Sequence, residues 1–240
     1  MEITWEVHGH AMSDAWKGIE SFDLVERDDG FIHYVPGSSY LTEFEAWPRI
    51  ERRAMELVRG RVIDLGCGAG RVALYLQNRG FDVLGFDISP LALKVCEERG
   101  LRKTMKGSIH DLEFPPDSFD TAIMFGNNFS LLGTPARATR ILKRMHSMLS
   151  KGGLILAETL DPYDTKEPAH LAYHAMNKNK GRLPGQVRVR VRYKQYATPW
   201  FYWLLLSRNE MDELAKRTGF DVARFIDPGG PRYIGALRKT

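Results

Sequence analysis

Residues 62–70 read Val-Ile-Asp-Leu-Gly-Cys-Gly-Ala-Gly, and no other stretch constrains the fold of this chain as tightly. A short apolar run, 61–65, meets three alternating glycines and leaves into a helical pattern, 71–78, that Gly80 closes. The reading is strand, sharp turn, helix. Glycines at 66, 68 and 70 belong where a side chain would forbid the turn or collide with a ligand lying across the end of the strand. The spacing is GxGxG rather than GxGxxG, because Arg71 takes the next place. A dinucleotide fold would seat a pyrophosphate on the helix N-terminus. Here Asp64 stands just before the glycines, which repels phosphate and suits a cationic ligand.

The same rhythm continues downstream. Residues 81–87 form a second strand, and Ser89-Pro90 supplies an N-cap and a first-turn proline for a helix that Gly100 stops. Further strands are expected at 101–106, 119–125 and 153–159, with a helix from Thr134-Pro135 to Leu149. Alternating strands and helices imply a parallel sheet covered by helices on both faces. Upstream, residues 1–37 read as irregular and 39–58 as helical, with Pro48 starting a second helix. Downstream, 187–193 alternates Val and Arg with period two, a half-buried strand. Pro199 separates it from the aromatic run 200–206. Ser207-Arg208-Asn209-Glu210 has capping-box spacing and opens a helix that Gly219 closes. Strands at 220–226 and 233–238 would make a hairpin-like antiparallel edge.

Composition removes several classes of function. A chain of 240 residues, 43% of them hydrophobic, can bury a core without disulfides or metal. No apolar run nears the roughly 20 residues of a membrane helix, and the acidic N-terminus lacks a signal peptide's basic start. Cys67 and Cys96 form neither a CxxC site nor a disulfide framework, so a cytoplasmic setting is expected. The histidines show no HExxH spacing. His170 and His174 could share a helix face, but a zinc site needs further ligands, and no metal is expected. There is no GxSxG and no Walker loop.

Asp87 ends the second strand, where an acid can accept both hydroxyls of a ribose. With DLGCGAG, it makes the chain resemble the class I S-adenosylmethionine-dependent methyltransferases of the small-molecule type. Residues 107–120, Gly-Ser-Ile-His-Asp-Leu-Glu-Phe-Pro-Pro-Asp-Ser-Phe-Asp, resemble the family's adenine-reading loop and the start of its fourth strand. Leu149-Ser150-Lys151-Gly152-Gly153 resembles the turn before the fifth. The resemblance is good over 60–160 and looser beyond. It implies a Rossmann-like α/β fold with a seven-stranded, mostly parallel sheet whose last strand is antiparallel, and S-adenosyl-L-methionine as cofactor. It also implies cofactor contacts from Asp64, Gly66, Cys67, Gly68, Gly70, Asp87, Ile88, Ser108, Ile109, His110, Asp111, Gly126 and Asn127. One departure is Ser108, where the family often has an acid for the adenine amino group. That contact would pass to His110 or Asp111, with the Ile109 amide serving the ring nitrogen.

The division expected is an N-terminal cap (1–45), the cofactor-binding core (46–160), an inserted antiparallel lid (161–206) and a C-terminal helix with two strands (207–240). Methyl transfer is an in-line displacement that chiefly needs positioning. A base is needed only if the acceptor keeps its proton, and the sequence names no catalytic residue. Acceptor contacts are expected from Tyr34, Tyr40, Asn128, Arg188, Arg190 and Trp200. Eight basic residues and no acid lie between Pro168 and Asn209. That charge favours a small acceptor that is anionic or electron-rich, with oxygen or nitrogen as the receiving atom. An RNA acceptor held by the basic segment 178–194, and a cofactor-binding protein without catalysis, are the alternatives. The bland reading of the Arg188/Arg190/Arg192 row is a solvated strand face. Neither cysteine stands where a pyrimidine-attacking nucleophile would.

Overall fold

The computed structural model describes residues 1–240. The chain opens with β1 (Glu2–Ile3), α1 (Val7–Trp16), β2 (Phe22–Arg27), β3 (Ile32–Pro36) and α2 (Arg49–Ala54). The βα series follows as β4 (Arg61–Leu65), α3 (Arg71–Asn78), β5 (Asp82–Asp87), α4 (Pro90–Glu98), β6 (Thr104–Lys106), β7 (Phe119–Met124), α5 (Pro135–Met148) and β8 (Leu149–Leu160). Then come α6 (Pro168–Asn179), β9 (Gln186–Tyr193), β10 (Tyr196–Ala197), β11 (Phe201–Leu204), α7 (Arg208–Arg217), β12 (Phe220–Ile226) and β13 (Arg232–Lys239). The fold is Rossmann-like α/β. Two compact units divide it: residues 1–47, 60–111 and 189–201 form the first, and 48–59, 112–188 and 202–240 the second.

In the first unit β4, β5 and β6 are parallel neighbours in that order. Val62, Ile63 and Leu65 are fully buried, which is why β4 reads as a continuous apolar run rather than an alternation. The third strand is shorter than the expected 101–106. The Leu101 amide closes the end of α4 by donating to Cys96 O (2.9 Å), so pairing begins only at Thr104.

The N-terminal segment is not irregular. Helix α1 is followed by the antiparallel pair β2–β3, and β2 pairs in turn with β9, Val25 facing Val191 and Glu26 facing Arg190. With β10 and β1 this gives a second sheet in the order β1-β10-β9-β2-β3. The expected cap and much of the expected lid are therefore one sheet. Alternation along β9 correctly placed Val189 and Val191 in its core, but a strand's partner cannot be read from its own pattern.

Helix α1 is pinned to α4. Glu6 accepts from Ser89 Oγ (2.9 Å) and the Leu91 amide (3.2 Å), placing an acid at a helix N-terminus, where the helix dipole favours it. Trp16 donates to Glu98 at the other end (2.9 Å). Gly9 permits the approach: a Cβ there would lie 2.1 Å from Ser89 Oγ and 2.9 Å from Leu91 Cβ.

In the second unit β7 and β8 are parallel, and β13 runs antiparallel to both its neighbours, β8 and β12. The pair β12–β13 forms the expected hairpin-like antiparallel edge, with β12 outermost and the last strand in sequence lying between it and β8. Seven strands of the βα series are present, three in the first unit and four in the second. The capping box at Ser207 and Glu210 forms as its spacing requires.

Candidate cofactor site

Three of the four residues 66, 67, 68 and 70 are glycines in the left-handed region, with φ of +74°, +53° and +80° at Gly66, Gly68 and Gly70. That region costs other residues roughly 1–2 kcal/mol. The Gly66 amide donates to Phe86 O (2.8 Å) and the Gly70 amide to Cys67 O (2.9 Å). At two of these positions a side chain would also strike a packed neighbour. A Cβ on Gly68 would meet Met12 Cε at 2.9 Å, and one on Gly70 would meet Cys96 Sγ at 3.0 Å. The glycines are thus required by backbone conformation and by the helices packed on the loop.

Asp87 anchors the loop to the next strand. Its Oδ2 accepts from the Gly68 amide and its Oδ1 from the Ser89 amide, both at 2.9 Å. The Gly107 amide donates to Asp87 O (2.9 Å), so the ends of β4, β5 and β6 meet at this residue. Burial holds the Asp87 carboxyl above its ordinary range, although the Ser89 and Gly68 amides and His8 pull the other way. Asp64 is buried, and its Oδ2 makes no hydrogen bond. Ile88 is exposed beside Asp87. Ser108, Ile109, His110 and Asp111 form a single turn after β6, in which the His110 amide donates to Ser108 Oγ (3.2 Å). His110 Nδ1 is buried without a hydrogen bond.

This donor set fits an adenosyl group carrying a cation. Each Asp87 oxygen accepts one amide and keeps capacity for a hydroxyl. Asp64 offers buried negative charge, and the His110 turn offers ring-edge contacts.

Both cysteines are buried. Cys96 Sγ donates to Gly68 O (3.0 Å). The Cys96 neighbour and burial push the Cys67 thiol well up. Cys67 is therefore not a thiolate nucleophile.

In the second unit, Gly126 and Asn127 follow β7 with consecutive left-handed φ of +66° and +67°. The Gly126 amide donates to Glu158 Oε2 (2.8 Å). Asn127 Oδ1 is buried and unbonded, a place for a ligand's donor, since such an atom is costly to leave unmet. The Asn128 amide turns back to Phe125 O (3.3 Å). Glu158 is fully buried; its Oε1 lies 3.2 Å from Arg232, and Glu51 hydrogen-bonds to it.

The expected acceptor residues separate. Tyr40 donates to Asp23 Oδ2 (2.7 Å) beside His8, whereas Tyr34 is half exposed on β3 against Phe22. Trp200 packs under the Arg190 guanidinium at 4.8 Å. Arg188 lies on the exposed face of β9. Arg190 is not available to an anion. It makes a two-pronged pair with Glu26, 2.9 and 3.0 Å, and Arg192 adds a third contact at 3.4 Å. The strand register sets Glu26 directly opposite Arg190, the arrangement that most favours opposite charges. Arg190's hydrogen bond leads the lowering of the Glu26 pKa, with burial opposing. The stability it gives is present above the ordinary glutamate range and lost as pH falls through the lowered value. Glu26→Ala is expected to destabilise the fold by about 1–3 kcal/mol, as a charge-assisted pair is broken. Urea titrations near neutral pH check this, and an unchanged midpoint would reduce the pair to a surface contact.

Sequence reasoning missed His8, Asp23, Glu51 and Glu158. Glu158 left a signal, since an acid inside the apolar run 153–160 must be buried and partnered. Residues 1–37 read as irregular, and nothing there marked His8.

The methyltransferase-domain family profile matches residues 62–153. Over 171 residues the chain is 27% identical to a tRNA (uracil(54)-C(5))-methyltransferase of Pyrococcus abyssi, covering 67% of this chain and 40% of that protein. Over 148 residues it is 30% identical to a cypemycin N-terminal methyltransferase of Streptomyces, covering 60% and 55%. The chain thus spans about half or less of the length of these curated relatives. A Bacteroides fragilis methyltransferase crystallised with S-adenosyl-L-homocysteine superposes with a TM-score of 0.82 at 24% identity, over 97% of this chain and 94% of that one. Residues 62–153 thus match the methyltransferase-domain family, and the chain shares the fold of solved S-adenosylmethionine-dependent methyltransferases.

Proposed function

We propose that this chain transfers a methyl group from S-adenosylmethionine to an oxygen or nitrogen of a small organic acceptor. The cofactor supplies an electrophilic methyl on a sulfonium. The protein's share is to hold the adenosyl group at Asp87 and the His110 turn, to set negative charge at Asp64, and to place the acceptor. Asn127 and Asn128, after β7, are the polar groups proposed for the reacting end.

The observation that carries the small-acceptor reading is how the basic segment's charge is used. Of the seven cations within 178–194, Arg190 and Arg192 pair with Glu26 and Lys194 with Asp14. Three of the seven charges that suggested an RNA-binding arm therefore face acids within the fold, and RNA affinity depends on uncompensated cations. The same pairing removes the reason to expect an anionic acceptor at Arg190. The chemistry of the tRNA relative also fits poorly. A ring carbon needs a nucleophile to activate it, and both thiols here are buried.

Incubation with methyl-labelled S-adenosylmethionine and a cell extract, separated into metabolite and RNA fractions, tests the reading. Label is expected in a small organic product. Label confined to RNA would replace this reading with the nucleic-acid one, and cofactor binding with no label anywhere would leave a binding protein. No helix is long and apolar enough to cross a membrane.

A further inference from the structure

We propose that His8, carried on α1, is a second holder of the ligand hydroxyls seated on Asp87, a latch that engages when the imidazole carries both its protons. The proposal rests on the reading of Asp87 as the acid that takes the ribose diol.

The placement comes from hydrogen bonds. Glu6 fixes the start of α1 to Ser89 Oγ and the Leu91 amide. The Ser89 amide is also the donor that fixes Asp87 Oδ1. His8, two residues beyond Glu6, is thereby tied to the turn that orients Asp87. The ring is held from one side only. Nδ1 lies 2.7 Å from Asp23 Oδ2, the same oxygen that accepts Tyr40 OH at 2.7 Å. Asp23 is fully buried, whereas the His8 side chain is 37% exposed. Nδ1 is thus the anchored nitrogen and Nε2 the outward one, and both hydrogen bonds of the His8 side chain within the chain are through Nδ1.

A buried Asp behind an imidazole sets its orientation and stabilises the imidazolium. Burial alone would lower the His8 pKa; the charge and hydrogen bond of Asp23, joined by the charge of Asp87, outweigh it and raise it. The groups acting on the ring are Asp23 from β2, Tyr40 from the turn 37–41 and Asp87 from β5. Glu6 acts on Asp87. On α4, Ser89 and Leu91 face this end, while Lys94, Glu97 and Glu98 lie further along, Glu98 on Trp16.

Hydrogen-bond counting gives the sign. Both Asp87 oxygens already accept one amide. A diol bound there gives its two hydrogens to the two oxygens, leaving only acceptor lone pairs on the hydroxyls. The complement is a donor, so Nε2 must carry hydrogen. With Nδ1–H committed to Asp23, that form is the imidazolium. Affinity should rise as pH falls through the His8 range and collapse only when Asp87 itself is protonated.

The test is calorimetric binding of S-adenosylhomocysteine, which carries no sulfonium charge, at several pH values and in buffers of different ionisation enthalpy. The wild-type chain should bind about tenfold more tightly near pH 6 than near pH 8.5, the scale of one charge-assisted hydrogen bond, with proton uptake between. His8→Asn keeps an amide for Asp23 but has no Nε2; it should bind with the wild type's high-pH affinity at every pH, without uptake. Asp23→Asn should move the transition to lower pH, a second handle if His8→Asn folds poorly. A wild-type slope retained in His8→Asn, or a flat wild-type profile, would overturn the latch. Asp87→Asn separates the two readings. Weak binding at all pH supports the diol site, and unchanged binding would remove that site and the latch with it.

Discussion

Gly68→Val is expected to weaken S-adenosylhomocysteine binding by at least about a hundredfold, a loss of about 3 kcal/mol or more from left-handed strain and overpacking together. Three features converge on this glycine. Its φ is +53°, which a β-branched residue resists most. Its Cβ would stand 2.9 Å from Met12 Cε, and Met12 is itself buried among Ala69, Ala92 and Val95. Its amide is the donor to Asp87 Oδ2 and its carbonyl the acceptor for Cys96, so any relaxation of the loop is passed to the proposed diol acid. Gly68→Ala should cost less, and adding Met12→Ala should recover the steric part while leaving the φ part. Calorimetry on variants shown by circular dichroism to be folded decides. If Gly68→Val binds within threefold of wild type, the glycine loop is not part of the ligand site. If Met12→Ala recovers nothing, the strain lies in the backbone alone.

The legibility of this molecule in its sequence follows from how local each constraint is. The turn at 66–70, the cap at Ser89-Pro90 and the capping box at Ser207 are set by residues within a few positions of one another, and each formed as read. Asp87 was legible for the same reason, as an acid ending a strand two residues before a helix cap. The second sheet was not. β9 gave its alternation, but its partner β2 lies more than 160 residues earlier, as the Glu26–Arg190 pair shows, and nothing in either strand names the other. That gap turned an arginine row into a candidate anion site when its register had already supplied the counter-charge. His8 was hidden likewise. Its role depends on Asp23 and Asp87, which reach it from two different strands. Glu158 could have been found, because an ionisable group in an all-apolar strand has no inexpensive state without partners.

Thermal unfolding should give Glu158 away. Burial, reinforced by Glu51, pushes its carboxyl up to about 8, against the opposing pull of Arg232 and the Gly126 amide. The folded chain therefore holds a proton that the unfolded chain, with an ordinary glutamate, releases. Stability from this group is full below the ordinary glutamate range, declines as pH rises toward about 8 and is level beyond it. Lowered acids such as Glu26 and Asp29 lose their contribution only at acid pH, so the two effects occupy different windows. In Glu158→Gln the amide oxygen still accepts from Gly126 and the amide nitrogen can still meet Glu51, while Arg232, 46% exposed, turns to water. The variant should melt within a degree or two of wild type near pH 5. Near pH 8.5 it should melt about 5 °C higher, matching a penalty of a few kcal/mol for a chain of this size. Parallel melting curves for the two proteins across that range would mean that Glu158 is ionised throughout, with its charge balanced by Arg232. A separation that opens only above neutrality would show instead that the proton is shared with Glu51. The Gly126–Asn127 turn, hydrogen-bonded to this carboxyl, would then be set by a neutral acid at neutral pH.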